Sequence, residues 1–173
     1  MRYQYCPKCG NKLILKPAGD DGLVPYCEKC SKFWFDSFGS CVIIMVINER
    51  EEVAMLRQQY MSDEYMNFVS GYITVGETAE QAAFREVQEE LGIALDDLEY
   101  SGTWWFAEEE LLMHGYIGRA TKKDFNLSKE VDSAEWIPLA ELTDHMYPDS
   151  PGNAQYGTYR VYTERYSAHG AAE

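Results

Sequence analysis

At 173 residues and 46% hydrophobic content, the chain is sized for one ordinary domain with a small appendage. Its 15 Lys and Arg against 29 Asp and Glu leave a formal charge of −14, which repels duplex phosphate backbones and argues against bulk electrostatic binding to nucleic acid. The opening stretch MRYQYCPKCG lacks the apolar segment of a signal peptide, and the longest apolar run, residues 41–47, is far too short to span a bilayer. No membrane association and a cytoplasmic location are therefore expected.

The N-terminal stretch departs from the acidic balance. Residues 1–34 hold six basic residues (Arg2, Lys8, Lys12, Lys16, Lys29, Lys32) against three acids (Asp20, Asp21, Glu28). They also carry four of the five cysteines, Cys6/Cys9 and Cys27/Cys30, in the pattern C-x2-C-x17-C-x2-C. Nothing in the sequence points to export, where disulfides would form, and the spacing fits a tetrahedral zinc site. In each knuckle, CPKCG and CEKC, backbone amides can approach both sulfurs, and Gly10 can take a left-handed turn. Residues 1–36 therefore read as a small zinc ribbon of two short strands, with the turn-rich arm KPAGDDGLVPY between the knuckles. A unit below about 40 residues rarely holds a core alone, so the metal replaces one. Cys41 reads as a small core hydrophobe.

After the linker DSFGS, residues 37–173 read as a second domain of mixed α and β structure. Strands are expected at 42–47, at VAMLRQ after the turn NERE, and at YMNFVSGYI. A helix follows over Ala79–Leu91, with Thr78 and Gln81 forming a capping box and Gly92 ending it. Further strands are expected at GTWWF, LLMHGYIGRA and SAEWIPL. A closing helix within 153–166 follows the breaker PDSPG, and the tail SAHGAAE is expected to be loose.

The first helix is unusual in its glutamates. At about 100° per residue, Ala83, Val87, Leu91 and Phe84 share an arc of about 100° and form the expected buried stripe. Glu86, Glu89 and Glu90 cluster on the flank that adjoins Ala83, one acidic ridge, with Ala82 inside it leaving space above. Arg85, just beyond the ridge, is placed to hold Glu89 through an i,i+4 contact. A solvated acidic face is one reading. The other is a cation site, because carboxylates about 5.5 Å apart in a cleft of dielectric about 20 repel by roughly 3 kcal/mol, and a hard divalent ion reverses that sign. Periodicity alone does not choose.

The longer pattern does. Gly71, five residues, Glu77, seven residues and REVQEELGI together resemble the Nudix box, G-x5-E-x7-R-E-U-x-E-E-x-G-U, with Val87 and Ile93 at the aliphatic positions. Seven specified residues at ordinary usage agree by chance roughly once in a million such chains. The resemblance implies an α+β fold, an α/β/α sandwich around a mixed sheet. It also implies Mg²⁺- or Mn²⁺-dependent hydrolysis of the pyrophosphate bond in a nucleoside diphosphate derivative. Carried over residue by residue, Glu86, Glu89 and Glu90 are the expected metal ligands, with Glu77 a weaker contact to metal or water. Arg85 clamps the glutamates, and Gly71, next to the substrate, and Gly76 serve through their backbone.

A four-cysteine ribbon before such a domain is similar to the NADH pyrophosphatase branch, which also removes NAD caps from RNA. FVSGYITVGET supports that likeness. KEVDSAEW resembles the segment that supplies a further acidic metal ligand, here Glu130, and SPGNA resembles a Pro-Gly-x-x-Ala element that places Ala154 at the substrate. The resemblance thus implies NAD(H) or an ADP-ribose-like dinucleotide as substrate, NAD-capped RNA as a further one, and a homodimer. The branch's motif S-Q-P-W-P-F-P-x-S survives only as SGTWWFAEE, which keeps Ser101, Trp104 and Phe106 but loses the prolines. Trp104 and Phe106 either stack on a base or nicotinamide ring or, at alternate strand positions, are core residues. A reading of another class is a binding module, in which the basic, aromatic ribbon docks RNA or protein and the second domain senses a nucleotide with little catalysis.

Overall fold

The computed structural model describes residues 3–58 and 61–166. The chain divides into two compact units, Met1–Phe38 and Gly39–Glu173.

The first unit is a three-stranded antiparallel sheet of β1 (Ile14–Pro17), β2 (Leu23–Cys27) and β3 (Lys32–Phe33), in that order. That is one strand more than the sequence suggests. After the second knuckle, Lys32–Phe33 folds back onto Tyr26 and Cys27, and the Trp34 N–H donates to the Pro25 carbonyl at 2.7 Å. Among the described residues, its core cluster holds Cys6, Leu13 and Cys27, flanked by Tyr3, Cys9, Cys30 and Trp34. So few side chains cannot stabilise a fold unaided.

The second unit is built on a mixed sheet of β4 (Gly39–Ile47), β5 (Glu52–Arg57), β6 (Val69–Tyr72), β7 (Asp97–Phe106), β8 (Leu111–Arg119) and β9 (Ser133–Pro138). The order is β7-β8-β4-β5-β9, with β6 also paired to β4. β4 runs parallel to β8, and the other pairings are antiparallel. Residues 41–47 of β4 are all buried, as a strand covered on both faces requires, which accounts for the unbroken apolar run. Val42, Ile44 and Val46 join the cluster under α1 (Ala79–Leu91), while Ile43, Met45 and Ile47 join the one under α3 (Ala154–Tyr166). Helices on both faces make the expected α/β/α sandwich. On one side of β4 the sheet forks: β6 lies opposite residues 41–44, and β5 takes over at Ile47. α1 lies against β6 and β4 at this fork.

α1 has the bounds read from sequence. Thr78 Oγ1 accepts from the Gln81 N–H, Gln81 Oε1 accepts from the Thr78 N–H, and Gly92 closes the helix at φ +67°. Its buried side differs from the expected one. Ala82, Ala83, Val87 and Leu91 are buried, whereas Phe84 is 44% exposed. Ala82 therefore leaves no space above a ridge; the two alanines bring the helix close to the sheet, and Phe84 falls at the margin.

Other boundaries shift for tertiary reasons. YMNFVSGYI is a strand only over Val69–Tyr72, because the Met66 N–H turns to the His145 carbonyl of α2 (Leu142–His145), a short helix with no sequence signal. β7 starts five residues before GTWWF and bulges between Tyr100 and Gly102. Asn153 caps α3, its Oδ1 accepting from the N–H groups of Gln155 and Tyr156. SAHGAAE lies outside the described residues.

Trp104 ties β7 to α3. A Cβ built on Gly157 would stand 2.3 Å from the indole Nε1, so the ring lies flush on the helix backbone. Gly157→Ala should therefore cost about 1–3 kcal/mol through overpacking. Urea unfolding reads this directly, and unchanged stability would show that the indole is not held there.

Candidate metal and nucleotide site

Arg85 is the hub of the site. Its Nε and Nη2 donate to the two oxygens of Glu77 at 3.0 and 2.7 Å, a fork-to-fork pair. Nη1 donates to Glu86 Oε1 at 2.7 Å and to Glu89 Oε2 at 2.9 Å. Nη2 also reaches the Tyr72 carbonyl at the end of β6, 3.0 Å away. The sequence placed Arg85 beside Glu89; its other partners are Glu86, the next residue of the helix, Glu77 of the loop before it and a carbonyl of the sheet.

Glu77 is fixed further by Thr74, whose N–H and hydroxyl both donate to Oε1. Gly76, at φ +99°, makes the turn that brings Glu77 back toward the helix. With Arg85 as the main cause, the Glu77 carboxyl is held down to a pKa of about 2. Three carboxylates on one guanidinium leave this cluster with a net negative charge.

Gly71 has a steric task. A Cβ there would stand 2.0 Å from Glu86 Oε1, so the Glu86 carboxylate occupies the volume that any other residue would fill. Gly71 pairs with Val42, a residue of the α1-side core, which places Glu86 on that face of the sheet beside the fork. Burial pushes the Glu86 pKa up despite Arg85.

Glu90 is only 5% exposed. Its Oε1 accepts a 3.2 Å hydrogen bond from Gln58 Nε2, while Oε2 is buried with no hydrogen-bond partner. Burial, then the nearby charges of Glu86 and Glu130, push its pKa up to about 8. Glu130 itself is exposed. Its loop is brought to α1 by the Ser128 N–H, which donates to the Glu90 carbonyl at 3.2 Å. Sequence reasoning missed Gln58, which ends the expected strand VAMLRQ and belongs to no motif.

The four cysteine sulfurs all lie within 4.8 Å of one another, with Cys6–Cys30 at 3.9 Å and Cys9–Cys27 at 3.6 Å. A tetrahedron with Zn–S bonds of about 2.3 Å has edges of about 3.8 Å, so the set fits zinc. Among the described residues no glutamate group converges so tightly; Arg85 holds one oxygen each of Glu86 and Glu89. The donor chemistry still fits a hard cation. Carboxylates predominate, their net charge is negative, and one buried oxygen lacks any partner.

The other expected contacts lie elsewhere. Trp104 is half-buried in the α3-side cluster, and Phe106, two residues on, is 36% exposed. A groove of about 300 Å³ beside Trp104 is lined by residues 149–153 and Arg160. Ala154, expected at the substrate, is instead buried in the α3-side core, where it opens the helix and offers little surface to a ligand. Trp104 and the glutamates therefore stand on opposite faces of the sheet.

A family model described as the Nudix domain matches residues 38–157. The chain is 27% identical over 145 residues to a protein named NAD-capped RNA hydrolase NudC from Vibrio atlanticus, covering 82% of this chain and 51% of the relative. It is 32% identical over 148 residues to chloroplastic Nudix hydrolase 19 of Arabidopsis thaliana, covering 80% of this chain and 33% of that protein. The chain thus spans about half the length of the first relative and a third of the second. Among solved structures, a Nudix hydrolase from Nitrosomonas europaea superposes with a TM-score of 0.70 at 17% identity, covering 96% of this chain and 94% of that one, a likeness of fold.

Glu90 carries a pH signature. Its folded pKa lies above the ordinary value of 4.5, so its contribution to stability is present below that value and is lost as pH rises through about 8. Without added Mg²⁺ or Mn²⁺, Glu90→Gln should raise the thermal midpoint at alkaline pH, above the folded pKa, and change it little at mildly acidic pH, below the ordinary one. An equal effect in both ranges would refute the buried-charge assignment.

Proposed function

The chain belongs to the Nudix family, and from that premise we propose that it hydrolyses the pyrophosphate bond of nucleoside diphosphate derivatives with Mg²⁺ or Mn²⁺. The observation that carries this reading is the unpartnered Glu90 oxygen, buried beside Glu86 where Gly71 leaves room for a second carboxylate.

Glu86, Glu89 and Glu90, with Glu130 reaching in from its loop, are the residues that would hold the cation. When bound, a divalent ion neutralises phosphate charge and lowers the pKa of coordinated water. The rest is done by the chain. Arg85 keeps Glu86 and Glu89 on one side of the helix and fixes the Glu77 loop against β6, so the carboxylates are placed before substrate arrives. Gly71 sets how closely Glu86 approaches the sheet. The four cysteines would hold a structural zinc.

The substrate proposed is NAD(H) or an ADP-ribose-like dinucleotide, with NAD-capped RNA as a further one. The ribbon spacing, SGYITVGET and Glu130 support it, as does the name of the Vibrio relative. Cleavage of NAD(H) would give AMP and a nicotinamide mononucleotide. Because Trp104 is packed on Gly157 and the prolines around it are missing, discrimination against ADP-ribose should be weak. A cytoplasmic homodimer belongs to the same proposal.

The test is AMP release from NADH and from ADP-ribose, with and without Mg²⁺. Both should be cleaved only with the cation, and Glu86→Gln should lower kcat by orders of magnitude while leaving the fold intact, since a neutral amide binds Mg²⁺ poorly. Near-normal turnover of Glu86→Gln at saturating Mg²⁺ would sink the metal assignment. Cleavage of a nucleoside triphosphate or sugar nucleotide alone would overturn the substrate, not the family.

A further inference from the structure

Gln58 is a buried primary amide, 5% exposed, at the end of an apolar strand. Burying an amide is costly unless it is hydrogen-bonded, and a methionine of similar shape would serve the core better. Its Nε2 donates to Glu90 Oε1, 32 residues away in sequence. Glu90 has reason to be restrained, because Glu86 and Glu130 both act on it as like charges. Gln58, just past β5, thus reaches a carboxylate on the helix that lies against β6 and β4. The second oxygen is left buried and unpartnered.

We propose that Gln58 is a positioning residue for the cation site: its amide ties one oxygen of Glu90 and leaves the other for the ion. The proposal rests on the metal-dependent reading above. Groups that hold a metal ligand by hydrogen bonding, without touching the ion, commonly change affinity by about 10–100-fold when removed. Gln58 acts through Glu90 alone, so its contribution requires the Glu90 carboxylate.

The test measures binding of Mn²⁺ alone, by electron paramagnetic resonance of the free ion, to the full-length chain with its cysteine site loaded with zinc. Gln58→Met removes the donor at constant shape. Gln58→Asn keeps the amide but withdraws it by one methylene, and serves if the first variant folds poorly. Each should weaken Mn²⁺ binding by about 10–100-fold. In a Glu90→Gln background, Gln58→Met should cause no further loss, as expected for residues acting as one unit. Wild-type affinity in the folded single variants would overturn the proposal while leaving the metal reading standing, as would losses that multiply in the double variant. Absence of Mn²⁺ binding by the wild-type chain would overturn both.

Discussion

Arg85 donates to Glu77, Glu86 and Glu89 and to a β6 carbonyl, and the placement of those three carboxylates depends on that one side chain. Charges about 4 Å apart near a protein surface interact by about 4 kcal/mol. A single guanidinium can therefore offset part of the repulsion among three carboxylates, but not all of it. Glu130 adds a further negative charge beside Glu90, whose own ionisation burial opposes. The fold thus maintains an unbalanced negative potential at the sheet fork. Arg85 supplies rigidity, and a divalent cation would supply the missing charge.

The fork is what lets the core tolerate this arrangement. β5 and β6 share one side of β4, and the helix lies against the place where one gives way to the other. Here the Glu90 carboxylate meets Gln58 from the end of one arm, while Gly71 of the other makes room for Glu86. On the opposite face, Trp104, Ala154 and Gly157 close an apolar seam between β7 and α3.

Much of this is legible in the sequence because it is local. The extent of α1, its capping box, the Gly92 stop and the buried run of β4 depend on residues within a few positions of one another, and the two cysteine pairs announce themselves by their spacing. What is not legible depends on strand pairing. The close approach of Gly71 to Glu86 requires β6 to pack under α1, and Gln58 reaches Glu90 only across the fork. The side of the sheet taken by Trp104 follows from its pairing with Met113. One further signal lies in the helical wheel. Glu90 falls beside Ala83 there, nearer the apolar stripe than its companions, and it is the glutamate of the three that is buried. Phe84 misleads in the opposite direction, since hydrophobicity alone does not show which flank of the stripe meets the sheet.

The central claim is that the glutamates form a cation site whose geometry needs the open volume at Gly71. The thermal midpoint of the chain at mildly alkaline pH, followed as Mn²⁺ is added, tests it most directly. A ligand that binds only the folded state raises the midpoint with concentration. The wild-type midpoint should climb in that way, and Gly71→Ala, whose Cβ displaces the Glu86 carboxylate, should lose most of the rise. A wild-type midpoint indifferent to Mn²⁺, or an identical rise in Gly71→Ala, would contradict the account.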